Sequence, residues 1–141
     1  MYTNILYFLN KKYIENIDIF ANSFRRREGL SKNFKFKNFT NKHTLLKKKY
    51  DLIINASNAG MSQGNKINRN ILRLVKKTKG VIDIVYNPLE TDLLKEAEKH
   101  NIKSIGGLIM LVEQAKPSFE IWSKKDIEID DKIYRSLISK I

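Results

Sequence analysis

The chain has 141 residues, of which 42% are hydrophobic, so it is long and apolar enough to form a packed domain rather than a disordered or fibrous segment. It contains no cysteine, which excludes disulfides, a thiol nucleophile and cysteine-ligated metal centres. The formal net charge of +12 is uneven, because residues 1–50 carry 12 basic and 3 acidic side chains. A basic half of this kind favours a nucleic-acid or phosphate ligand, or else a lysine-rich surface that only faces solvent.

Signals for membranes and export are missing from the sequence. No run approaches the ~18 consecutive apolar residues of a membrane-spanning helix. The first nine residues are mildly apolar, but Lys11 and Lys12 follow them, whereas a secretory signal carries its basic residues first. We therefore expect a soluble, cytoplasmic protein.

The first 50 residues predict short elements around a basic turn. A helix with one apolar face is indicated by residues at helical spacing: Tyr2, Ile5, Leu6, Leu9 and Tyr13. A short strand is expected over Ile17–Ala21, and a capped turn or helix that carries Arg25–Arg27 follows it. A weak strand is indicated by Phe34, Phe36 and Phe39, and one or two helical turns by Thr44–Lys49.

Beyond residue 50, strands alternate with helices. The predicted strands cover Asp51–Ala56, Val81–Tyr86 and Lys103–Ile105, and the first two are apolar enough to be buried on both faces. The predicted helices comprise one with Ile67, Ile71, Leu74 and Val75, one capped by Thr91, one from Leu108 to Lys116, one that Pro117 opens, and one capped by Asp130 or Asp131. This alternation predicts an α/β fold with a mostly parallel sheet.

The arginines after the first predicted strand indicate a phosphate-bearing cofactor. In dinucleotide-binding folds the end of the second strand meets the adenosine ribose, where arginine accommodates a 2′-phosphate and an acid binds the 2′-OH of NAD. This strand end reads Ala21-Asn22-Ser23 without an acid, so Arg25–Arg27 favour NADP, and the alternative is a solvated basic turn. The glycine-rich phosphate loop is missing, as is the first strand, which lies mid-sheet in the order 3-2-1-4-5-6.

The remaining acidic residues and histidines give no evidence of a metal or catalytic site. The acidic residues Asp126, Glu128, Asp130 and Asp131 faintly resemble a calcium loop, but Asp131 stands where that loop needs glycine. Helix capping is therefore preferred, and no metal site is expected. His43 and His100 are far apart in the sequence with no motif around either, and we interpret both as surface residues.

Four segments in order resemble the shikimate dehydrogenase family. Asp51–Ser57 with Gly60-Met61 resembles the family's DLIINATP-x-GM segment, and VIDIVYNPLETDLL at residues 81–94 is similar to its next strand and helix. Gly107–Gln114 resembles its DGLxMLVxQ stretch, and Pro117–Trp122 its xxSFELW stretch. The spacing is compatible throughout, and the match covers nearly the whole chain but only the C-terminal half of the family's protein.

The resemblance implies both a fold and an activity. The family reduces 3-dehydroshikimate to shikimate with NADPH, in the chorismate pathway of aromatic amino-acid biosynthesis. Its C-terminal domain binds the nucleotide. The implied fold is an incomplete Rossmann-like, doubly wound parallel sheet that lacks the first strand. It would form one truncated NADP-binding domain over residues 1–141, with C-terminal helices at about 107–141.

The same resemblance implies the site residues. The family grips the NADP 2′-phosphate at the positions of Asn22, Ser23, Phe24, Arg25, Arg26 and Arg27; Asn22 and Arg27 match its pattern, and Ser23 and Phe24 depart from it. Ile84 and Gly107 fall at positions that line the nicotinamide, and Tyr86 and Gln114 at two positions that bind shikimate. Tyr86 also ends a predicted buried strand, where open α/β sheets bind ligands. The family's catalytic Lys and Asp lie in its N-terminal domain, so no catalytic residue is assigned.

Three interpretations of the whole chain follow. The favoured one is a truncated shikimate dehydrogenase that is inactive alone. The second is a subunit that pairs with a separately encoded N-terminal half, or a homo-oligomer, because the missing first strand leaves open sheet edges unless its neighbours pair directly. The third and least favoured is a basic nucleic-acid-binding protein, for which Phe34, Phe36 and Phe39 with Lys35 and Lys37 are the candidate contacts.

Overall fold

The computed structural model describes Ile5, Tyr7, Leu9 and residues 16–21, 38–39 and 42–140. The chain divides into two compact units, residues 1–49 and residues 50–141. The sequence predicted one truncated NADP-binding domain over residues 1–141, and that assignment stays a prediction.

The first unit contains two short parallel strands and a helix. Strand β1 (Asp18–Ile19) pairs with β2 (Asn38–Phe39), and helix α1 spans Lys42–Lys47. The Lys48 ammonium lies 2.7 Å from the Asp18 carboxylate and ties the segment after α1 to β1. Ile5, Tyr7 and Leu9 are helical, and the exposure of Tyr7 between the half-buried Ile5 and Leu9 agrees with a helix that has one apolar face.

The second unit is built on a three-stranded parallel sheet in the order β3-β4-β5. These strands span Leu52–Asn55, Gly80–Asp83 and Lys103–Ile105, and Ile54 lies opposite Ile82, which lies opposite Ile105. The accompanying helices are α2 (Arg69–Val75), α3 (Asp92–Lys99), α4 (Gly107–Ser123) and α5 (Asp131–Ile138). The predicted α/β class with a parallel sheet and C-terminal helices is therefore confirmed.

The core of this unit lies where α2 and α3 pack on the sheet. Its buried cluster consists of Ile67, Val75, Val81, Leu93 and Ala97. Leu93 and Ala97 are one helical turn apart, so they lie on the same face of α3, while Lys95 and Glu98 are exposed on the other. The start of α3 is fixed as predicted, because the Thr91 hydroxyl accepts a hydrogen bond from the Leu94 N–H at 3.3 Å.

The arrangement of strands matches a dinucleotide-binding fold without its first strand. In the order 3-2-1-4-5-6, strand 1 joins strand 2 to strand 4. Among the residues that the structure describes, β1 and β2 form one sheet and β3, β4 and β5 another, which is the division expected when strand 1 is missing. Within its own sheet, β3 is consequently an edge strand.

The predicted burial of the first two long strands is wrong in part. β3 is only half-buried, and Leu52 is 45% exposed, because an edge strand lacks a neighbour on one side.

β4 ends at Asp83 rather than at Tyr86. The cause is local: the Asp83 carboxylate accepts the Val85 N–H at 3.1 Å, so that N–H is not available to a sheet ladder.

Two helices were predicted on either side of Pro117, and the structure has one. Helix α4 runs without a break from Gly107 to Ser123, with Pro117 inside it. Proline has no N–H to donate to the carbonyl of Glu113, but its fixed φ angle is helical, so the chain continues past it with one fewer hydrogen bond.

None of the described residues belongs to a helix that is both long and apolar enough to cross a membrane. The cytoplasmic location expected from the sequence stays a prediction.

Replacing Leu93 with Ala tests the core. Leu93 is fully buried between α3 and the sheet, so the substitution leaves a cavity and should lower the free energy of unfolding by about 2–5 kcal/mol. Urea denaturation followed by circular dichroism measures this change. Lys95→Ala, on the exposed face of the same helix, is the matched control and should change the free energy by less than about 0.5 kcal/mol. Equal effects of the two substitutions would contradict the assigned core.

Candidate functional site

The loops that follow β3 and β4 and the start of α4 lie at one edge of the three-stranded sheet. Because the strands are parallel, their carboxyl ends share this edge, which is where ligands of open α/β sheets bind. Three of the residues predicted from the sequence, Ile84, Tyr86 and Gly107, lie at this edge. We refer to it as the carboxyl edge.

A buried carboxylate organises the carboxyl edge. The side chain of Asp83, at the end of β4, is 0% exposed. Its Oδ1 accepts hydrogen bonds from Asn55 Nδ2 at 2.9 Å and from the Val85 N–H at 3.1 Å. Its Oδ2 accepts from the Thr91 hydroxyl at 2.7 Å. A buried carboxylate needs such partners, and these three join the end of β3, the loop after β4 and the start of α3.

Asn55 extends this network into the loop after β3. Its Nδ2 also donates to the carbonyl of Ala59 at 2.9 Å. Its Oδ1 accepts from the Ser57 hydroxyl at 2.7 Å and from the Ser57 N–H at 3.3 Å. The Ser57 hydroxyl oxygen in turn accepts from the Ala59 N–H at 3.2 Å. The path of the loop is therefore fixed by the amide of Asn55, which Asp83 holds in place.

Ile84 and Gly107 are brought together as the floor of the site. The Gly107 N–H donates to the carbonyl of Val85 at 3.1 Å, and both Ile84 and Gly107 are buried. A Cβ atom on Gly107 would stand 2.2 Å from the Ile84 carbonyl oxygen, so the start of α4 can approach this loop only with glycine at position 107. The start of α4 is therefore packed directly on the backbone of the loop after β4.

Tyr86 lies at the carboxyl edge with a partly exposed side chain. It is 40% exposed and lies two residues beyond the buried Ile84. The loop after β3 is linked to the loop after β4 next to Tyr86. The Ser62 hydroxyl donates to Asn87 Oδ1 at 3.0 Å, and the Ser62 N–H donates to the Asn87 carbonyl at 3.4 Å. Tyr86 therefore projects from a segment that is held at both ends, by Asp83 on one side and by Ser62 on the other.

Gln114 is exposed on α4, seven residues beyond Gly107. Seven residues are close to two helical turns, so the two residues share a face of the helix and are separated by about 10 Å along its axis. Gln114 therefore lies on the same side of α4 as Gly107, which is at the carboxyl edge.

The predicted 2′-phosphate segment, Asn22 to Arg27, lies outside the described residues. Its role stays a prediction.

Sequence reasoning missed the positioning residues Asp83 and Asn55. A signal was present, since a carboxylate between Ile82 and Ile84 in an apolar strand is rarely buried without a partner. The partners themselves could not be read from the sequence, because Asn55 is 28 residues away and is brought near only by the parallel pairing of β3 and β4.

The ionisable groups away from the carboxyl edge make ordinary surface contacts. In the part of the chain that the structure describes, no three His, Asp or Glu side chains converge on a metal-binding position. Asp130 caps α5, its Oδ1 accepting from the Ile133 N–H at 2.9 Å, and His100 lies 3.0 Å from the Glu96 carboxylate. The hydrogen bond and the charge of Asp51, 2.6 Å away, raise the pKa of the exposed Lys79 ammonium.

Asp83→Ala and Asp83→Asn test the network. Alanine leaves two buried donors, the Val85 N–H and the Thr91 hydroxyl, without this acceptor and removes one acceptor of Asn55, and we expect a loss of about 3–5 kcal/mol in the free energy of unfolding. Asparagine keeps the shape and one acceptor oxygen, so its loss should be clearly smaller. Asp126→Ala, at an exposed carboxylate, is the control and should be near neutral. Urea unfolding measures all three; a neutral Asp83→Ala would refute a structural role for the network.

Gly107→Ala tests the close approach of α4 to the loop after β4. The added Cβ would meet backbone atoms of Ile84 and Val85, which cannot move without displacing the helix start. We expect a destabilisation of about 1–3 kcal/mol by thermal or urea unfolding. The neighbouring Gly106→Ala is a matched control, because its Cβ would meet the flexible end of Leu94 at 3.2 Å and should cost less. The reverse ranking of the two variants would contradict this packing.

Comparisons with known proteins point to one family. No protein-family model matches the chain. A shikimate dehydrogenase (NADP(+)) of Methanococcus maripaludis is 45% identical over 95 residues, which make up 65% of this chain and 33% of that protein. Among solved structures, a chorismate mutase/shikimate 5-dehydrogenase fusion protein from Clostridium acetobutylicum matches with a TM-score of 0.73 and 30% identity, covering 97% of this chain and 49% of that one. A shikimate dehydrogenase in complex with NADP+ matches with a TM-score of 0.56 and 32% identity, over 80% of this chain and 40% of that one.

The likeness extends over both sequence and fold. The chain spans about a third of the length of the curated relatives that it matches. The resemblance identified from the sequence is thereby confirmed: the protein is shikimate dehydrogenase-like, and it corresponds to the C-terminal part of that family.

Proposed function

We propose that this chain is the NADP-binding part of a shikimate dehydrogenase and that it needs the family's N-terminal half for activity. The reaction would be the NADPH-dependent reduction of 3-dehydroshikimate to shikimate. The observation that carries the proposal is the gathering of Ile84, Tyr86 and Gly107 at the carboxyl edge of a chain that is similar to shikimate dehydrogenases. No catalytic residue is assigned to this chain.

The residues at the carboxyl edge fit the nicotinamide end of the cofactor. The buried Ile84 and the side-chain-free Gly107 would provide the apolar floor against which one face of the ring lies. NADPH, when bound, supplies the hydride for the reduction of a carbonyl. Asn22 to Arg27 would hold the 2′-phosphate at the other end, where Arg27 provides a cation at the position of the family's last basic residue.

Tyr86 and Gln114 supply the contacts to a polyhydroxylated substrate. The Tyr86 hydroxyl can donate and accept, and the Gln114 amide presents a donor and an acceptor together. Both side chains are exposed, so they can reach a ligand that enters from solvent. Their part is to bind and orient shikimate beside the floor, which raises the effective concentration of the reacting carbon at the cofactor.

An N-terminal partner would also complete the sheet. β3 is half-buried and lies at the edge of its sheet, where unpaired backbone groups can accept another strand. A strand from the family's N-terminal half would pair with this edge and supply the missing strand of the order 3-2-1-4-5-6. This observation supports the need for the N-terminal half.

One titration series tests the proposal. The chain is titrated with NADP+ and with shikimate, alone and after co-expression with the N-terminal half of the Methanococcus maripaludis relative, and shikimate-dependent formation of NADPH is followed by its absorbance. We expect no turnover by the chain alone and measurable turnover by the complex. Turnover by the purified chain alone would refute the need for a partner, and a complex without NADP+ binding would refute the proposed function.

Tyr86→Phe tests the substrate site within that complex. Loss of one hydroxyl contact should weaken shikimate binding by about fivefold to tenfold, because a hydrogen bond contributes about 1 kcal/mol, and should leave NADP+ binding unchanged. Tyr134→Phe, on α5, is the matched control. An unchanged Kd for shikimate in Tyr86→Phe would remove Tyr86 from the site.

A further inference from the structure

Strand β5 leaves one edge of the three-stranded sheet open. In the order β3-β4-β5 it is the outer strand among the described residues, and all three of its residues are exposed. This edge lies at the opposite end of the sheet from β3, so it is separate from the edge that the family's N-terminal half would complete. An edge strand with free backbone groups is a template for pairing with another extended segment.

The free backbone groups of β5 belong to Ser104. The Gly80 N–H donates to the carbonyl of Asp51 at 3.1 Å, so the backbone groups of Gly80 point towards β3. Because these groups alternate in direction along a strand, those of the next residue, Val81, point towards β5. Val81 lies opposite Ser104, and a residue of a parallel ladder bonds to the two neighbours of the residue opposite it. The N–H and the carbonyl of Ser104 therefore point away from β4, towards the outer edge.

A groove of about 380 Å³ lies beside this edge, and we call it the β5 groove. Leu94 of α3 and Ile102, which precedes β5, form its apolar lining, and Ser104 lies at its border. Helix α3 has 8 residues and is about 12 Å long, which is the length of three or four extended residues. The groove therefore has the dimensions of a site where a peptide adds to a sheet edge and places alternate side chains in a pocket.

The turn that leads from α3 into β5 fixes the shape of the β5 groove. The Asn101 N–H donates to the carbonyl of Glu98 at 2.9 Å, and the Ile102 N–H donates to the carbonyl of Ala97 at 2.9 Å. Asn101 has a φ of 54°, in the left-handed region, so these two bonds form the helix ending known as a Schellman motif. A ligand would meet a groove that is already formed, which lowers the entropic cost of binding.

The charged residues of the β5 groove favour a basic ligand. They are Glu90, Lys95 and Glu98, and all three are exposed. None of them forms an ion pair with another residue that the structure describes. Two carboxylates stand against one ammonium, so the groove is acidic although the chain carries a net charge of +12. A second copy of the chain would bring another Lys103 to the same edge, so charge also disfavours pairing of β5 with itself.

We propose that the β5 groove binds an extended, basic peptide segment of another protein, which adds to the outer edge of β5 through the N–H and the carbonyl of Ser104. Side chains at alternate positions of the peptide enter the groove. An apolar side chain packs against Leu94 and Ile102. A basic side chain pairs with the carboxylate of Glu98, which is four residues beyond Leu94 and therefore on the same face of α3.

A designed peptide makes the proposal measurable. The probe is acetyl-Thr-Val-Thr-Arg-Thr-Val-amide, because its valines and its arginine share one face of an extended strand and its threonines share the other. It is titrated into the full, isotope-labelled chain, and the amide signals and their hydrogen exchange are followed by NMR. The Ser104 N–H signal should shift and its exchange should slow, because a peptide carbonyl accepts from it. The same peptide with Glu in place of Arg is the control and should bind about fivefold more weakly or worse.

Two variants at Ser104 separate the backbone contact from the side chain. Ser104→Pro removes the outward N–H, and proline is tolerated in an edge strand where the N–H faces solvent. This variant should raise the Kd of the peptide about fivefold or more, whereas Ser104→Ala keeps the N–H and should leave the Kd within about twofold. Thermal unfolding shows whether each variant is folded.

Glu98→Lys tests the charge of the groove at an exposed helix position, so it also tests the proposal if the proline variant does not fold. The substitution should reverse the preference between the two peptides, with the Glu peptide then bound more tightly than the Arg peptide.

Each part of the proposal has a result that overturns it. Equal Kd values for folded Ser104→Pro and Ser104→Ala would overturn strand addition at β5. Equal Kd values for the Arg and Glu peptides, in the parent chain and in Glu98→Lys, would overturn the basic ligand. An unchanged Ser104 signal at millimolar peptide, or protection that grows with the concentration of the chain alone, would overturn a peptide of another protein as the occupant. No measurement in this series involves NADP+ or shikimate, so its outcome is independent of the proposed function.

Discussion

The geometry of the candidate site depends on one buried carboxylate. Asp83 is bonded to the end of β3 through Asn55, to the loop after β4 through the Val85 N–H, and to the cap of α3 through Thr91. A charge in the interior is stable only when its oxygens are bonded, so these three segments cannot move independently without exposing or orphaning it. The residues that would meet a ligand, Ile84 and Tyr86, lie within three positions of Asp83, so the hydrogen bonds of Asp83 also fix their positions.

Local patterns were enough to predict the α/β class, the strand β5 and the capping residues Thr91 and Asp130, because each depends on residues close in sequence. They were not enough to predict the exposure of β3, because that exposure depends on whether a neighbouring strand exists. They also failed at α4, because Pro117 predicted the start of a new helix and the helix instead continues through it. At the site, the motifs placed Ile84, Tyr86 and Gly107 at one edge. The Asp83 network could not be predicted, because its contact to Asn55 joins residues 28 apart in the sequence.

Helix α4 serves two different surfaces. Its first residue, Gly107, is packed so tightly against the loop after β4 that a methyl group would not fit, and its last turns expose Phe119 and Trp122. Gln114 lies between these regions. The same helix therefore connects the carboxyl edge at its start to an exposed apolar surface at its end.

Pro117 falls between the buried and the exposed halves of that helix. Because proline donates no hydrogen bond to the carbonyl of Glu113, the helix has its weakest point there, and bends in helices concentrate at such positions. The missing hydrogen bond therefore separates the turns that carry Phe119 and Trp122 from the turn at Gly107, which is packed against the loop after β4. In mechanical terms, a bend at this proline would move the exposed end of the helix and leave the packing of Gly107 against the loop after β4 undisturbed.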